Sequence, residues 1–337
     1  MSTIRDLCEI TGLSLGTVSN YLNGKKIKSE NAEKIKQAIE KTSYIPSNLG
    51  RYLKSGRAKN VGIVASDISA PYVSASVAVL EQGLSEKGYR IFFCNSHNNV
   101  SIERENLDFM IQQSVSAIIL FPTNYYSQNL DNVFHSNMPI VMCDSMSSNP
   151  LFDCSSVNYD NRKLSFEATE LFIEEGHRKI ACIAGCSDHY SSVTRVAGYR
   201  EALEKYGLDY SEENIYYCDF DNQKSFAATV SLLQNSPDVT ACLITSNNML
   251  LGFLKALETV GKDLHRNLSY ITFSYEGYYD LLPIKPTYIR HDFQSFGKCT
   301  LELIKDVIVA NEVPLHPIHE IADSSVVLGD SHKITLS

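Results

Sequence analysis

Residues 3 to 23 read TIRDLCEITGLSLGTVSNYLN. Ile4, Leu7, Cys8 and Ile10 recur at helical spacing, and Thr3 with Asp6 three residues on forms the pattern of a capping box, so a short helix is predicted here. Gly12 can take the left-handed conformation that closes a helix, and Ser14 stands where it caps a second one running through Val18 and Leu22. A third amphipathic segment, Ser29 to Thr42, carries Ala32, Ile35, Ala38 and Ile39 on one face, so three short helices share one small core. Charge gives this all-α head a direction. Residues 1 to 59 hold eleven Lys or Arg against five Asp or Glu, a balance of +6, whereas the whole chain carries −9, leaving −15 for the rest. A basic head on an acidic body is the footprint of nucleic-acid binding confined to one end.

The chain has 337 residues, 44% apolar and 20% charged, so two or three soluble domains are expected. No run approaches the roughly 18 apolar residues that span a bilayer, and the polar start of the chain does not resemble an export signal, so a cytoplasmic protein with no membrane contact is expected. Nine cysteines are scattered singly with no C-x-x-C, and the nine histidines lie apart with no H-E-x-x-H. Reduced, mostly buried thiols are predicted, with no metal site and no cofactor.

Beyond the third helix, Tyr44-Ile45-Pro46 stops helical geometry, because proline disfavours the α conformation of the residue before it. Ser47 to Leu53 is too short to hold a helix alone. From Val61 the texture changes to short apolar runs alternating with amphipathic segments. Strands are predicted at 61–64, 91–94, 117–120 and 140–143, and again at 180–184, 215–217, 241–245 and 269–273, with helices between them. That rhythm predicts two α/β lobes with parallel sheets. In such sheets ligands sit beyond the carboxyl ends of the strands, so the cleft between the lobes is the predicted pocket.

Several stretches carry a resemblance. LSLGTVSNYLNG, YIPSN at 44–48, LKSGR at 53–57, DISAPY at 67–72, EEGHRKIACIAG at 174–185, RVAGYREAL at 195–203, TSNNMLLGFLKAL and IRHDFQSFGK follow in the order and spacing of the lactose-repressor (LacI/GalR) family of bacterial transcription regulators. A series of motifs spread over more than 300 residues is far more specific than one helix-turn-helix match. The resemblance implies a helix-turn-helix head over 1–45, a hinge helix and linker over 46–59, and a periplasmic-binding-protein-like effector and dimerisation domain over 60–337. Within that domain, one lobe is expected at about 60–158 and 288–320 and the other at about 159–287 and 321–337. It implies a repressor that binds palindromic operator DNA as a homodimer and is controlled by a small-molecule effector, a sugar or sugar derivative. Dimers rather than tetramers are expected, since no heptad-bearing tail follows Ser337.

Carried over by motif, the implied DNA contacts are Thr3, Ser14, Leu15, Gly16, Thr17, Ser19, Asn20, Asn23, Tyr44 and Asn48, with Leu53 as the wedge that enters the minor groove. Gly50 stands where relatives have alanine, which weakens the hinge helix. The implied effector contacts are Asp67, Ser69, Tyr72, Ser96, Pro122, Thr123, Arg195, Asn247, Ser274 and His291. Arg195 leads them, because a guanidinium can fork onto vicinal hydroxyls or a carboxylate. Ser274 replaces a family carboxylate and Ser145 a family arginine, so an anionic sugar derivative anchored on Arg195 is one expectation and a neutral sugar the other. Two rivals stand against this reading. A free-standing sugar receptor shares the two-lobed body but not the basic head. An enzyme built on Cys182, Cys186 and His189 needs an orienting third group that the sequence does not offer.

Overall fold

The computed structural model describes residues 3–22, 24–44, 59–126, 130–149, 153–260, 268–274, 285–310 and 316–333. Asn23, Asn48, Gly50, Leu53 and nearly all of the expected hinge and linker lie outside the described residues. The chain divides into two compact units, Met1–Ala58 and Lys59–Ser337.

In the first unit, α1 (Ile4–Thr11) opens on a complete capping box: Thr3 N–H donates to the Asp6 carboxylate at 2.6 Å and Asp6 N–H to Thr3 Oγ1 at 3.4 Å. Gly12 closes it at φ 66°. Ser14 Oγ then accepts the Thr17 N–H at 3.2 Å at the start of α2 (Leu15–Leu22). With α3 (Ser29–Thr42), these helices bury Leu7, Val18, Ile35 and Ala38 in one small core.

The second unit contains two six-stranded sheets. The first has β1 (Asn60–Ala65), β2 (Arg90–Asn95), β3 (Ile118–Phe121), β4 (Ile140–Cys143), β5 (Ser156–Asn158) and β11 (His319–Ile321), in the order β11-β5-β4-β3-β1-β2, all parallel. The second has β6 (Ile180–Ala184), β7 (Ile215–Tyr217), β8 (Ala241–Ile244), β9 (Ser269–Ser274), β10 (Thr287–His291) and β12 (Ser324–Val327), in the order β12-β10-β9-β8-β6-β7, with only β12 antiparallel. Between the strands run α4 (Pro71–Glu86), α5 (Val100–Gln112), α6 (Asp131–His135), α7 (Asn161–Glu174), α8 (Tyr190–Lys205), α9 (Asn222–Asn235), α10 (Asn247–Val260) and α11 (Phe293–Ala310).

Successive residues of a strand face opposite ways, and here both faces are covered. In β3, Ile118 and Leu120 pack with Leu107 and Met110, while Ile119 and Phe121 pack with Phe296 and Leu303. That two-sided burial explains why the strands read as unbroken apolar runs.

One expected boundary is corrected. The strand placed in the first lobe at 288–290 pairs parallel with β9, Thr287 opposite Ile271, and so belongs to the second sheet. After it the chain returns to the first lobe through α11, which packs on α4, β4 and β5, and through β11, which pairs with β5. The chain therefore crosses between lobes after Asn158, after His291 and after Ile321. The short strands β5, β11 and β12 carry too few apolar repeats to have been read from the sequence.

Candidate functional site

A cavity of about 620 Å³ opens between the carboxyl ends of the two sheets, within the size range of small-molecule sites. Its centre is Arg195, buried on α8. Arg195 Nε donates to Asn161 Oδ1 at 2.9 Å, one terminal nitrogen donates to the Thr245 carbonyl at 2.6 Å, and the other lies 3.2 Å from His291 Nε2. The guanidinium lies over the Phe273 ring, 4.1 Å from its centroid. Three of its five N–H donors are thus engaged among the described residues, leaving two to meet a ligand.

Facing it across the cleft is Asp144, at the end of β4 and also buried. Burial pushes its pKa up to about 6, held back by the Arg195 charge and by the Asn161 amide, whose Nδ2 reaches Asp144 Oδ1 at 3.4 Å. His291 is held neutral, well below the usual imidazole range, by burial and by Arg195. Burial likewise brings His189 down to about 4. At the mouth the lobes meet directly: Asn124 Nδ2 donates to Asp188 Oδ2 at 2.5 Å, and Tyr125 N–H to the Asp188 carbonyl at 2.8 Å.

Backbone strain gathers here. Asn98, Asp144, Asp219 and Phe220, all lining the cavity, have φ between 50° and 56°. For a residue as bulky as phenylalanine this is uncommon, and it aims Phe220 against His189, ring centroids 5.3 Å apart, at the pocket wall. Five aspartates line the cavity, at 67, 144, 188, 219 and 221, against the one guanidinium among its lining residues. Asp219 is paired with Lys224, and Asp221 caps α9 through the Lys224 N–H.

Residues 58–289 match the profile of "Periplasmic binding proteins and sugar binding domain of LacI family". The chain belongs to the LacI family. The HTH-type transcriptional repressor PurR of Actinobacillus pleuropneumoniae serotype 3 is 30% identical over 276 residues, 80% of each chain. PurR of Glaesserella parasuis serovar 5 is 27% identical over 327 residues, 94% of each. Among solved structures, a transcriptional regulator CelR–cellobiose complex superposes with a TM-score of 0.74 at 25% identity, covering 98% of this chain and 100% of that one. The Lac repressor dimer bound to operator and the anti-inducer ONPF superposes with 0.84 at 20% identity, covering 98% and 99%, and shares the fold.

Of the effector contacts implied by LacI-family motifs, Asp67, Tyr72, Thr123, Arg195, Asn247, Ser274 and His291 line the cavity. Asn247 Oδ1 accepts from Ser274 Oγ at 2.9 Å. Thr123 N–H donates to Glu103 at 2.6 Å, leaving Thr123 Oγ1 buried with no protein partner. Three expectations are corrected. Ser69 is exposed and outside the lining, its N–H and hydroxyl bonding the Asp67 carboxylate at 2.9 and 2.7 Å. Ser96 is fully buried, where it accepts from the Asn106 amide at 3.3 Å. Pro122 is also buried away from the cavity. Of Arg290 and His291, strand alternation points His291 inward.

Sequence reasoning missed Asp144, Asp188 and Phe220. Asp144 directly follows β4, so the strand-end rule reaches it, but reasoning by motif stopped one residue later at Ser145. The enzyme alternative loses its nucleophile: Cys182 is buried, and burial raises the Cys186 thiol to about 12, far from a thiolate at neutral pH.

In the head, Thr3, Ser14, Leu15, Gly16 and Asn20 are exposed, Leu15 at 54%, while Thr17, Ser19 and Tyr44 are half-buried. Thr3 and Ser14 act as helix caps. The Lys side chains at 25, 26, 28, 34, 36 and 41 are all exposed.

Proposed function

We propose that this protein is a homodimeric transcriptional repressor that binds a palindromic operator and answers to a neutral sugar or sugar derivative held between its lobes. The observation that carries the reading is the conjunction, in one LacI-family chain, of a +6 helix-turn-helix head with Leu15, Gly16 and Asn20 exposed and a two-lobed cleft centred on Arg195. Regulation of transcription requires a cytoplasmic protein. Each head spans half a site, so two-fold pairing matches a palindrome.

Homodimerisation is supported by the free edge of the first sheet. Its edge strand β2 exposes Phe92 at 37% and Phe93 at 36%, and α5 beside it exposes Phe109 at 43%. An exposed apolar edge strand invites pairing, and a second copy of the same edge satisfies it.

The neutral ligand replaces the anionic expectation. Arg195 is already faced by Asp144 and bonded on three sides, and four further carboxylates share the cavity. Carboxylates accept hydroxyl protons from a polyol but repel an anion, and an anion brought here gains only the two donors left on Arg195. Thr123 Oγ1 is placed to bond a ligand hydroxyl.

Mobility shift on palindromic DNA with heparin as competitor tests the regulatory reading, with a salt-sensitive shift as the expected outcome. Calorimetry with glucose and cellobiose against glucuronate and glucose 6-phosphate tests the ligand class. Tight binding of an acid or phosphate with no binding of its neutral parent rejects it.

A further inference from the structure

Three crossings join the lobes, and they are bonded to one another. Ala322 N–H donates to the Asn158 carbonyl at 2.8 Å, Asp292 N–H to the Asp323 carbonyl at 3.0 Å, and the Tyr159 hydroxyl reaches the Asp292 carbonyl at 3.5 Å. His291, on one crossing, touches the other two through its side chain. Its ring stacks on Tyr159 at 3.9 Å between centroids and 14° between planes, and its Nδ1 lies 3.0 Å from Ser324 Oγ.

Its second nitrogen leaves the hinge and enters the cleft, where Nε2 meets Arg195 at 3.2 Å. A guanidinium only donates, so Nε2 accepts, and the ring proton sits on Nδ1, directed at Ser324. Both nitrogens of this neutral ring are therefore committed. Arg195 belongs to the wall of the second lobe and retains two N–H groups for a ligand. A ligand that draws on them displaces a group whose own acceptor is part of the hinge, and hinges turn at the few residues that absorb the change in backbone angle.

We propose that His291 is a positioning residue that couples the cleft wall to the lobe hinge, so that effector contact at Arg195 reaches the interlobe angle through the Arg195–His291–Ser324 chain. The inference rests on the repressor reading for its physiological output. It needs an effector whose affinity differs between the two lobe angles.

The test uses the full-length protein and two measurements: amide hydrogen exchange at Asp292 and Ala322, and operator affinity by mobility shift. His291→Phe keeps a flat ring on Tyr159 and removes both nitrogen contacts. Exchange at the two amides should rise by roughly tenfold, and operator Kd should shift by about threefold or more. His291→Gln, which keeps an acceptor for Arg195, should bring operator Kd back to within about twofold of wild type. Arg195→Lys lies outside the crossings yet should raise exchange at the same amides, a response that a ring serving only as hinge packing would not give.

If wild type fails to retard operator DNA, the repressor reading falls, and the coupling is judged on exchange alone. Unchanged protection in both His291→Phe and Arg195→Lys overturns the coupling. Faster exchange with unchanged operator affinity also overturns it, because the hinge then loosens without reaching the head. Should His291→Phe not fold, Ser324→Ala removes one of the two nitrogen contacts and is judged by the same criteria.

Discussion

Asn161 stands between two opposite charges: its Oδ1 accepts from Arg195 Nε at 2.9 Å while its Nδ2 donates to Asp144 Oδ1 at 3.4 Å. One buried amide therefore joins the carboxylate of the first lobe to the guanidinium of the second. Asn161→Ala leaves both groups short of a partner, which costs about 1 to 3 kcal/mol for each buried group left unsatisfied. Urea unfolding should show a loss of at least about 2 kcal/mol, and the Asp144 pKa should rise further, since the lost hydrogen bond favoured its ionised form. An unchanged urea midpoint would remove Asn161 from this role.

Gly198 on α8 faces the backbone of α7 with no room for a side chain. A methyl group added there would overlap the carbonyl oxygen of Arg162, and that oxygen belongs to a helix and has little freedom to retreat. Gly198→Ala should destabilise the effector body by about 1 to 3 kcal/mol, the usual cost of overpacking. Thermal melting reads this as a lower Tm, and a wild-type Tm would show that the two helices separate freely.

Asn20 is exposed on α2, and Gly16 offers no side chain to read bases. Asparagine pairs with adenine N6 and N7, whereas arginine prefers guanine, each worth about 1 to 3 kcal/mol of discrimination. Operators selected from random DNA should therefore show adenine at one half-site position, changing to guanine with Asn20→Arg. If both proteins select the same base there, Asn20 does not read it.

Acid should weaken the fold. Burial lowers the pKa of His177, His189, His291 and His332. Below the ordinary imidazole value of about 6.5, the unfolded chain binds protons that the folded one refuses, so this stability is fully present above that pH and lost as pH falls, for His189 down to about 4. Asp144 works the other way, because its pKa is raised to about 6 and protonation favours the fold between that value and 3.8. Four histidines outweigh one carboxyl, so Tm should fall steadily from pH 7 to pH 5. A Tm that holds or rises over that range contradicts the assignment.

Phe92→Glu with Phe93→Glu places charge on both faces of the edge strand β2, where like charges would oppose each other across a two-fold interface. The doubly substituted protein should sediment as a monomer at micromolar concentration, with operator affinity reduced by at least about tenfold, as expected when one half-site is lost. A dimer of unchanged affinity would place the interface elsewhere.

Much of this could be read along the chain because it depends on near neighbours. Thr3 and Asp6 lie three residues apart, and their capping box formed. Helical spacing of apolar residues within each of α1, α2 and α3 marked the faces that bring Leu7, Val18 and Ile35 into the core of the head, and the unbroken apolar runs of β1, β3, β4, β6 and β8 followed from burial on both faces. The motif RVAGYREAL located both Arg195 and the glycine that lets two helices touch. Tertiary structure decided what no local period encodes. A strand at 287–291 looks the same whichever sheet it joins, and only its long-range pairing with β9 put it in the second lobe and made His291 a hinge residue. Likewise, Ser69 and Ser96 follow strands as pocket residues should, yet both turn away, while left-handed backbone at Asp144, Asp219 and Phe220 brings those side chains in. Side-chain direction in a strand-end loop is set by a few backbone angles that the surrounding packing holds in place, so Asp144, Asp188 and Phe220 became visible as cleft residues only when both lobes were assembled around them.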